Sequence, residues 1–202
     1  MKKLQMNQEQ AKKLDNFWYY YKFHVLGGIF VLFCIGIFVR DMMRQVDYDY
    51  NVGFVGSYAM ADEERQKLQE WFEANGEDLN GDGEVHVQVA DYFLSENADP
   101  QMFAASQTKF MVDLQEGTSM IFFINEENYE RFKEQKIFPE DRAEFVNMTD
   151  CKGFAEAGSP ASVKDMFGTM RLIYEDSKLA KKEETQKYYD ASEKLLKKFI
   201  GE

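Results

Sequence analysis

An uncharged apolar run from Val25 to Val39 most constrains what this chain can fold into. An aromatic collar precedes it, and from Trp18 to Val39 the two cover about 22 residues, close to the roughly 20 that a helix needs to cross a hydrocarbon core. We therefore predict one transmembrane helix over 17–39, with the lipid bilayer as its partner. The collar residues that we expect at the headgroups are Trp18, Tyr19, Tyr20, Tyr21 and Lys22.

The charges on either side of this run predict its orientation. Up to Lys22, five lysines oppose two acidic residues, for a net charge of +3, whereas the remaining 19 Lys and Arg oppose 34 Asp and Glu, for −15. Basic residues beside a first transmembrane helix stay in the cytoplasm. We therefore expect 1–16 to be a cytoplasmic basic tail, 40–49 a juxtamembrane spacer and 50–202 an extracytoplasmic domain at the cell membrane.

A cleaved signal peptide is the alternative interpretation of the same run. Signal peptides end in a small-x-small cleavage site. After Val39 the chain continues Arg-Asp-Met-Met-Arg-Gln-Val-Asp, which offers no small residues at those positions. The sequence therefore favours an uncleaved anchor.

The residues after the spacer alternate between strand and helix patterns. Such alternation predicts a single α/β domain with a mostly parallel sheet, flanked by helices and ending in a long C-terminal helix. The predicted strands are 50–56, 85–93, 119–124, 145–148 and 170–174, and the predicted helices are 61–72, 99–117, 126–132 and 177–199.

One loop has the pattern of a cation ligand set. Asp78, Asn80 and Asp82 alternate and precede Gly83 and Glu84, as in the first half of a calcium loop. Position 12 of such a loop should be a bidentate Glu, but here it is Val89. A turn rich in Asn-Gly and Asp-Gly explains the same residues without a metal. We favour the turn, with calcium as the open alternative, and we expect no other cofactor.

Residue types that carry catalysis are few after the anchor. His86 lies on the polar face of a predicted strand, and Cys151 is the only cysteine beyond the apolar run. Two such residues without a motif do not indicate nucleophilic catalysis. The acidic charge also argues against nucleic acid as a partner, since the phosphate backbone would be repelled. We therefore expect no enzyme, with a cell-envelope hydrolase as a minor alternative.

Two resemblances rest on particular segments. The collar 16–24, the loop Glu77-Asp-Leu-Asn-Gly-Asp-Gly83 and Asp99-Pro-Gln-Met102 resemble a group of uncharacterised single-pass membrane proteins of clostridia and related Firmicutes. More remotely, residues 110–117, the apolar strand 119–124, residues 129–132 and Phe138-Pro139 are similar to a stretch of extracellular solute-binding proteins. That second resemblance implies a binding-protein-like α/β lobe, and the chain after the anchor is long enough for one lobe of the usual two.

Two functions follow as expectations. The first is a membrane-tethered, non-enzymatic accessory or interaction domain at the cell surface, whose partner is a membrane or envelope protein. The second is capture of a small ligand at the carboxyl ends of the strands, around Ser57, Tyr58 and Asn125.

Overall fold

The computed structural model describes residues 8–42, 46–175, 177, 179–181 and 183–202, with the side chains of 8–16, 41–42 and 183 left aside. The chain divides into two compact units, Met1–Val46 and Asp47–Glu202.

The first unit contains one long helix, α1, from Gln8 to Met42. Its stretch Phe17–Arg40 is 24 residues long, and no part of its most apolar window is buried. By length and composition this helix is able to cross a membrane. A signal sequence near the N-terminus meets the same criteria of length and composition. The helix includes the second half of the predicted tail and extends to Met42 in the predicted spacer, while 1–7 and 43–45 lie outside the described residues.

The aromatic collar lies on the exposed surface of α1. Phe17 and Tyr21 stack with ring centroids 5.1 Å apart, and Lys22 Nζ lies 5.2 Å from the centroid of the Phe23 ring. The exposed fractions of the aromatic side chains from Phe17 to Phe23 are 50% or more. The side chains from Phe17 to Arg40 are therefore exposed, apart from the half-buried Val25.

The second unit is built on strands that alternate with helices, as the sequence predicts. Its described strands are β1 Tyr50–Gly56, β2 Val87–Phe93, β3 Ile121–Asn125, β4 Val146–Asn147 and β5 Met166–Met170. Its described helices are α2 Asp62–Asn75, α3 Pro100–Glu116, α4 Glu126–Phe132, α5 Lys152–Glu156 and α6 Glu183–Ile200. The α/β class and the C-terminal helix are thus confirmed.

The strands form one mixed sheet in the order β2-β1-β3-β5-β4 among the described residues. Strand β1 is parallel to both β2 and β3, whereas β5 is antiparallel to both β3 and β4. The prediction of a mostly parallel sheet is therefore wrong beyond β3. Between β4 and β5 the longest helix is the five-residue α5, and antiparallel neighbours need no long crossover helix.

Strand β3 lies at the centre of the sheet and is buried on both faces. Phe122 lies opposite Gly53 of β1, where an added Cβ would be 2.6 Å from the phenyl ring. Phe123 lies opposite Gly168 of β5, where an added Cβ would be 2.7 Å from the ring. These two glycines make room for large rings on opposite faces of the sheet.

The prediction of a strand at 170–174 is wrong, because β5 ends at Met170, where the predicted strand would begin. Gly168 breaks the apolar pattern of β5, although its missing side chain is what admits Phe123. The following residues still bond to the unit, since Arg171 N donates to Met120 O at 2.9 Å and Leu172 N to Ile137 O at 2.7 Å. The short α5 was not predicted at all.

The end of α6 closes one core of the unit. The Phe199 ring stacks on Phe72 at 5.1 Å and meets Trp71 edge-on at 4.9 Å. It also meets Phe123 edge-on at 5.2 Å, and an added Cβ on Gly153 would be 2.3 Å from the ring. The last turn of α6 is therefore bound to α2, α5 and β3 by one side chain. On the opposite face, Phe110 and Phe122 lie in a second core under α3 and α4.

Replacing Phe199 by alanine tests how far the unit depends on this contact. Phe199 is fully buried, so we expect Phe199→Ala to lower the free energy of unfolding by about 3–5 kcal/mol. The measurement is urea unfolding of the full chain in detergent micelles, followed by circular dichroism. Lys194→Ala is the control, since Lys194 is exposed on the same helix and its loss should change stability by less than about 0.5 kcal/mol. A loss below about 1 kcal/mol for Phe199→Ala would contradict this account.

Candidate functional site

The sheet has a switch point at β1, which places a crevice at the carboxyl ends of its strands. The connection from β1 to β2 contains α2, which packs in one core through Leu68, whereas the connection from β2 to β3 contains α3, which packs in the other through Phe110. The two crossover helices therefore lie on opposite faces of the sheet, and the strand order changes direction between β1 and β3. In open α/β sheets, ligands bind outside the carboxyl ends at such a point.

The structure brings two of the predicted ligand residues together at this edge. Ser57 follows β1, and its Oγ accepts a hydrogen bond from Asn125 Nδ2 at 2.8 Å. The same hydroxyl donates to Glu127 Oε2 at 2.7 Å. Asn125 is also the N-cap of α4, because its Oδ1 accepts from Asn128 N at 3.2 Å. One amide side chain thus caps a helix and holds the serine.

A cavity of about 430 Å³ lies beside this contact. Tyr58, which is 70% exposed, lines it with Ser57, whereas Asn125 does not line it and instead braces Ser57. The other lining residues are Phe93, Ser95, Glu96, Asn97 and Glu127. The predicted trio therefore divides into two residues at the cavity and one, Asn125, that holds Ser57.

A polar network that the sequence did not predict extends this edge. Asn128 is fully buried, and its Nδ2 donates to Leu94 O at 3.1 Å and to Asn125 Oδ1 at 2.9 Å. Arg131 Nη2 donates to Glu96 at 3.1 Å and to Glu127 at 3.2 Å. The loops after β1, β2 and β3 are thus joined by side chains. The only sequence signal for this network is Asn128, a polar residue on the buried side of the short helix α4.

In the candidate calcium loop, side-chain oxygens accept hydrogen bonds from backbone N–H groups of the same loop. Asp78 accepts hydrogen bonds from Gly81 N at 2.6 Å and from Gly83 N at 2.9 Å, and these bonds lower its pKa. Asn80 Oδ1 accepts from Asp82 N at 2.8 Å, and Asp82 Oδ1 accepts from Glu84 N at 2.9 Å. Within the described residues, no group of three or more His, Cys, Asp or Glu side chains is arranged around one point. The turn interpretation explains this geometry, and calcium stays an untested alternative.

Asp49 attaches this loop to the unit. The sequence placed it in the spacer, but it is 2% exposed. Its Oδ1 accepts from Leu79 N at 2.7 Å and from Asn80 N at 3.0 Å, and its Oδ2 accepts from His86 N at 2.8 Å. The carboxylate is therefore committed to three backbone amides just before β1.

Cys151 and His86 do not form a reactive pair. Cys151 Sγ donates to Asn147 O at 3.3 Å, while the side chain of His86 lies 3.4 Å from Glu84. Burial, with a smaller contribution from Asp150, raises the pKa of Cys151 to about 11. The thiol is thus protonated at neutral pH, and a thiol is a far weaker nucleophile than a thiolate.

A second network that the sequence did not predict holds the loop between α3 and β3. Asp113 is 5% exposed, and it accepts from Ser119 N at 2.7 Å and from the Tyr92 hydroxyl. Arg171 donates to Leu114 O at 2.9 Å and to Ser119 O at 3.2 Å. Burial raises the pKa of Tyr92 and lowers that of Arg171. Asp113 and Arg171 lie within apolar segments of the sequence, so the sequence pattern did not predict that they would meet.

No protein-family model matches this chain, and neither a curated protein nor a solved structure does. The architecture alone therefore defines its class. It is a mixed α/β unit with a polar crevice at its strand ends, and the described residues also include one helix that is long and apolar enough to cross a membrane.

The raised pKa of Cys151 predicts how its alkylation depends on pH. With a pKa of about 11 instead of 9.0, the folded chain holds about 100-fold less thiolate below pH 9, and burial slows the reagent further. We therefore expect iodoacetamide to label Cys151 at least about 100-fold more slowly in the native chain than in urea, with a native rate that rises about tenfold per pH unit. Mass spectrometry of the Cys151 peptide measures both rates. Native labelling within about threefold of the denatured rate at pH 8 would contradict the burial of this thiol.

Proposed function

We propose that this chain is a membrane-tethered, extracytoplasmic accessory or interaction domain without catalytic activity. The observation that carries the proposal is the helix Phe17–Arg40, which is long and apolar enough to cross a membrane and is unburied in its most apolar window, in a chain whose second compact unit is acidic. An apolar surface of this length is stable in a bilayer and unfavourable in water. In this proposal the helix is an uncleaved anchor that holds the acidic unit at the membrane surface.

The orientation is supported by the basic residues before the apolar run. Lys2, Lys3, Lys12 and Lys13 precede it, whereas the residues from 23 onward carry a net charge of −15, from 19 Lys and Arg against 34 Asp and Glu. The bias of Lys and Arg toward the cytoplasmic side sets the orientation of a first helix. The proposal therefore places the N-terminus in the cytoplasm and the α/β unit outside.

The surface of the unit supports recognition through charge rather than through an apolar face. Its exposed large apolar side chains are separated along the chain: Tyr58 follows β1, Met102 and Val112 lie in the first and last parts of α3, and Tyr174 follows β5. Single exposed apolar residues of this kind do not make a contiguous patch. An acidic surface fits a basic region of a membrane or envelope protein, and it repels nucleic acid and anionic lipid.

Small-ligand capture is the second candidate, and the crevice at the carboxyl ends favours it. Three loops are joined there by hydrogen bonds of Asn125, Asn128 and Arg131, and these bonds hold the walls of the cavity together. Because the polar groups already bond to one another, a ligand would have to replace the contact of Ser57 with Glu127. Binding in this crevice would therefore favour a molecule that itself donates to Glu127.

Charged substitutions in the apolar helix test the tether. Phe30→Lys with Phe33→Lys places two charges near the helix centre, where each costs about 2.5–3.5 kcal/mol. We expect this variant to leave the membrane fraction, while the size-matched control Phe30→Leu with Phe33→Leu stays in it. Immunoblotting of membrane and soluble fractions measures the distribution.

The orientation is tested in the same cells by tags at both ends. Protease applied to intact cells should remove the C-terminal tag and spare the N-terminal one. A C-terminal tag that survives would contradict the orientation, and a lysine variant that stays in the membrane fraction would contradict the anchor itself.

A further inference from the structure

A larger cavity, of about 560 Å³, lies at the amino ends of β1 and β3. Its walls come from Tyr50 and Asn51 at the start of β1, from Met120 just before β3, and from Thr185 and Ser192 on α6. It is therefore at the edge of the sheet opposite to Ser57 and Asn125. Its volume falls in the range of sites that hold small organic molecules.

Three polar side chains at this cavity have no hydrogen-bond partner among the side chains that the structure describes. Ser192 and Thr185 are 3% and 7% exposed, and no hydrogen bond joins either hydroxyl to another described residue. Asn51 Oδ1 is buried and is likewise without a partner in the described part of the chain. Buried polar groups in folded proteins almost always have a partner, and an unpaired one costs stability. Asn51 Oδ1 is such an atom, and Ser192 and Thr185 line the same cavity, so a ligand held there would supply hydrogen-bond partners to these groups.

The charged side chains that the structure describes at the cavity are acidic. Glu116 and Glu184 line it, and no lysine or arginine occurs among the described residues of its walls. Asp49 also lines it, but its carboxylate is already bonded to three backbone amides. The nearest unsatisfied negative charges are therefore the two glutamates, so an anionic ligand is disfavoured.

Aromatic rings contribute a second preference for positive charge. Tyr48, Tyr50 and Tyr188 all line the cavity. Burial raises the pKa of Tyr188, with further contributions from Glu184, Asp49 and Asp47, which reflects the same negative surroundings. The faces of aromatic rings attract ammonium groups, and aromatic cages are a known way to bind quaternary ammonium.

We propose that this cavity binds a small organic cation, with its ammonium group among the tyrosine rings and glutamates and its hydrogen-bonding groups at Ser192, Thr185 and Asn51. The inference does not depend on the side of the membrane on which the unit lies, nor on the crevice at the carboxyl ends. It assigns to the unit a ligand class that the tether alone does not imply.

A matched pair of probes isolates the role of charge. Choline and 3,3-dimethylbutan-1-ol have the same shape and hydroxyl, but only choline carries a positive charge. We expect saturable binding of choline to the full chain in dodecyl maltoside micelles, measured by calorimetric titration and by the shift in melting temperature. The neutral alcohol should bind at least about tenfold more weakly.

Two substitutions place the binding in this cavity. Glu184→Gln should weaken choline binding by about two- to fivefold, while Asp190→Asn, on the same helix but outside the walls, should leave it unchanged. Ser192→Ala should also weaken binding, yet the melting temperature of the ligand-free chain should stay the same or rise, because an unpaired hydroxyl is removed. A purely structural role for Ser192 would lower that melting temperature instead.

Three results would each overturn the proposal. One is the absence of saturable binding by choline, putrescine and tetramethylammonium up to about 10 mM. Another is equal binding of choline and its neutral analogue. The third is binding that neither Glu184→Gln nor Ser192→Ala weakens, since the cation would then occupy another place.

Discussion

The burial of β3 on both faces is the constraint on which the rest of the α/β unit depends. Ile121, Phe122, Phe123 and Ile124 are all fully buried. Two adjacent phenylalanines that point to opposite faces require space in both neighbouring strands, and Gly53 and Gly168 provide it. Helices must then cover both faces, which α3 and α4 do on one side and α2 and α6 on the other. The fold follows from keeping this strand away from water.

The two candidate sites lie at opposite ends of strand β3. Asn125 ends β3, caps α4 and holds Ser57, so the crevice at the carboxyl ends is fixed by the strand itself. Met120 precedes β3 and lines the larger cavity, whose other wall is α6. Because Phe199 binds the end of α6 to the core, the packing of this helix also sets the width of that cavity. Stability and the candidate binding geometry thus share the same contacts.

Local patterns predicted most of the first half of the unit, and long-range contacts decided the rest. The strands at 50–56, 85–93 and 119–124 and the helices between them follow from periodicity, proline and glycine, and the structure has elements there. The reversed strand β5 could not be predicted in this way, because Gly168 makes sense only opposite Phe123. The edge that holds Ser57 and Asn125 was predictable from strand ends, but their bonds to Glu127 and Arg131 were not. The cavity under α6 depends on how a distant helix docks, which no local pattern records.

The central claim is that the apolar helix remains part of the chain and holds the acidic unit at a membrane. The most direct measurement is the intact mass of the chain recovered from washed membranes, together with peptide mapping across Phe17–Arg40. The account predicts that the membrane-bound chain retains 17–40. A chain that begins after Val39 and is found in the soluble fraction would show that the run is a cleaved signal sequence, which would contradict the tether.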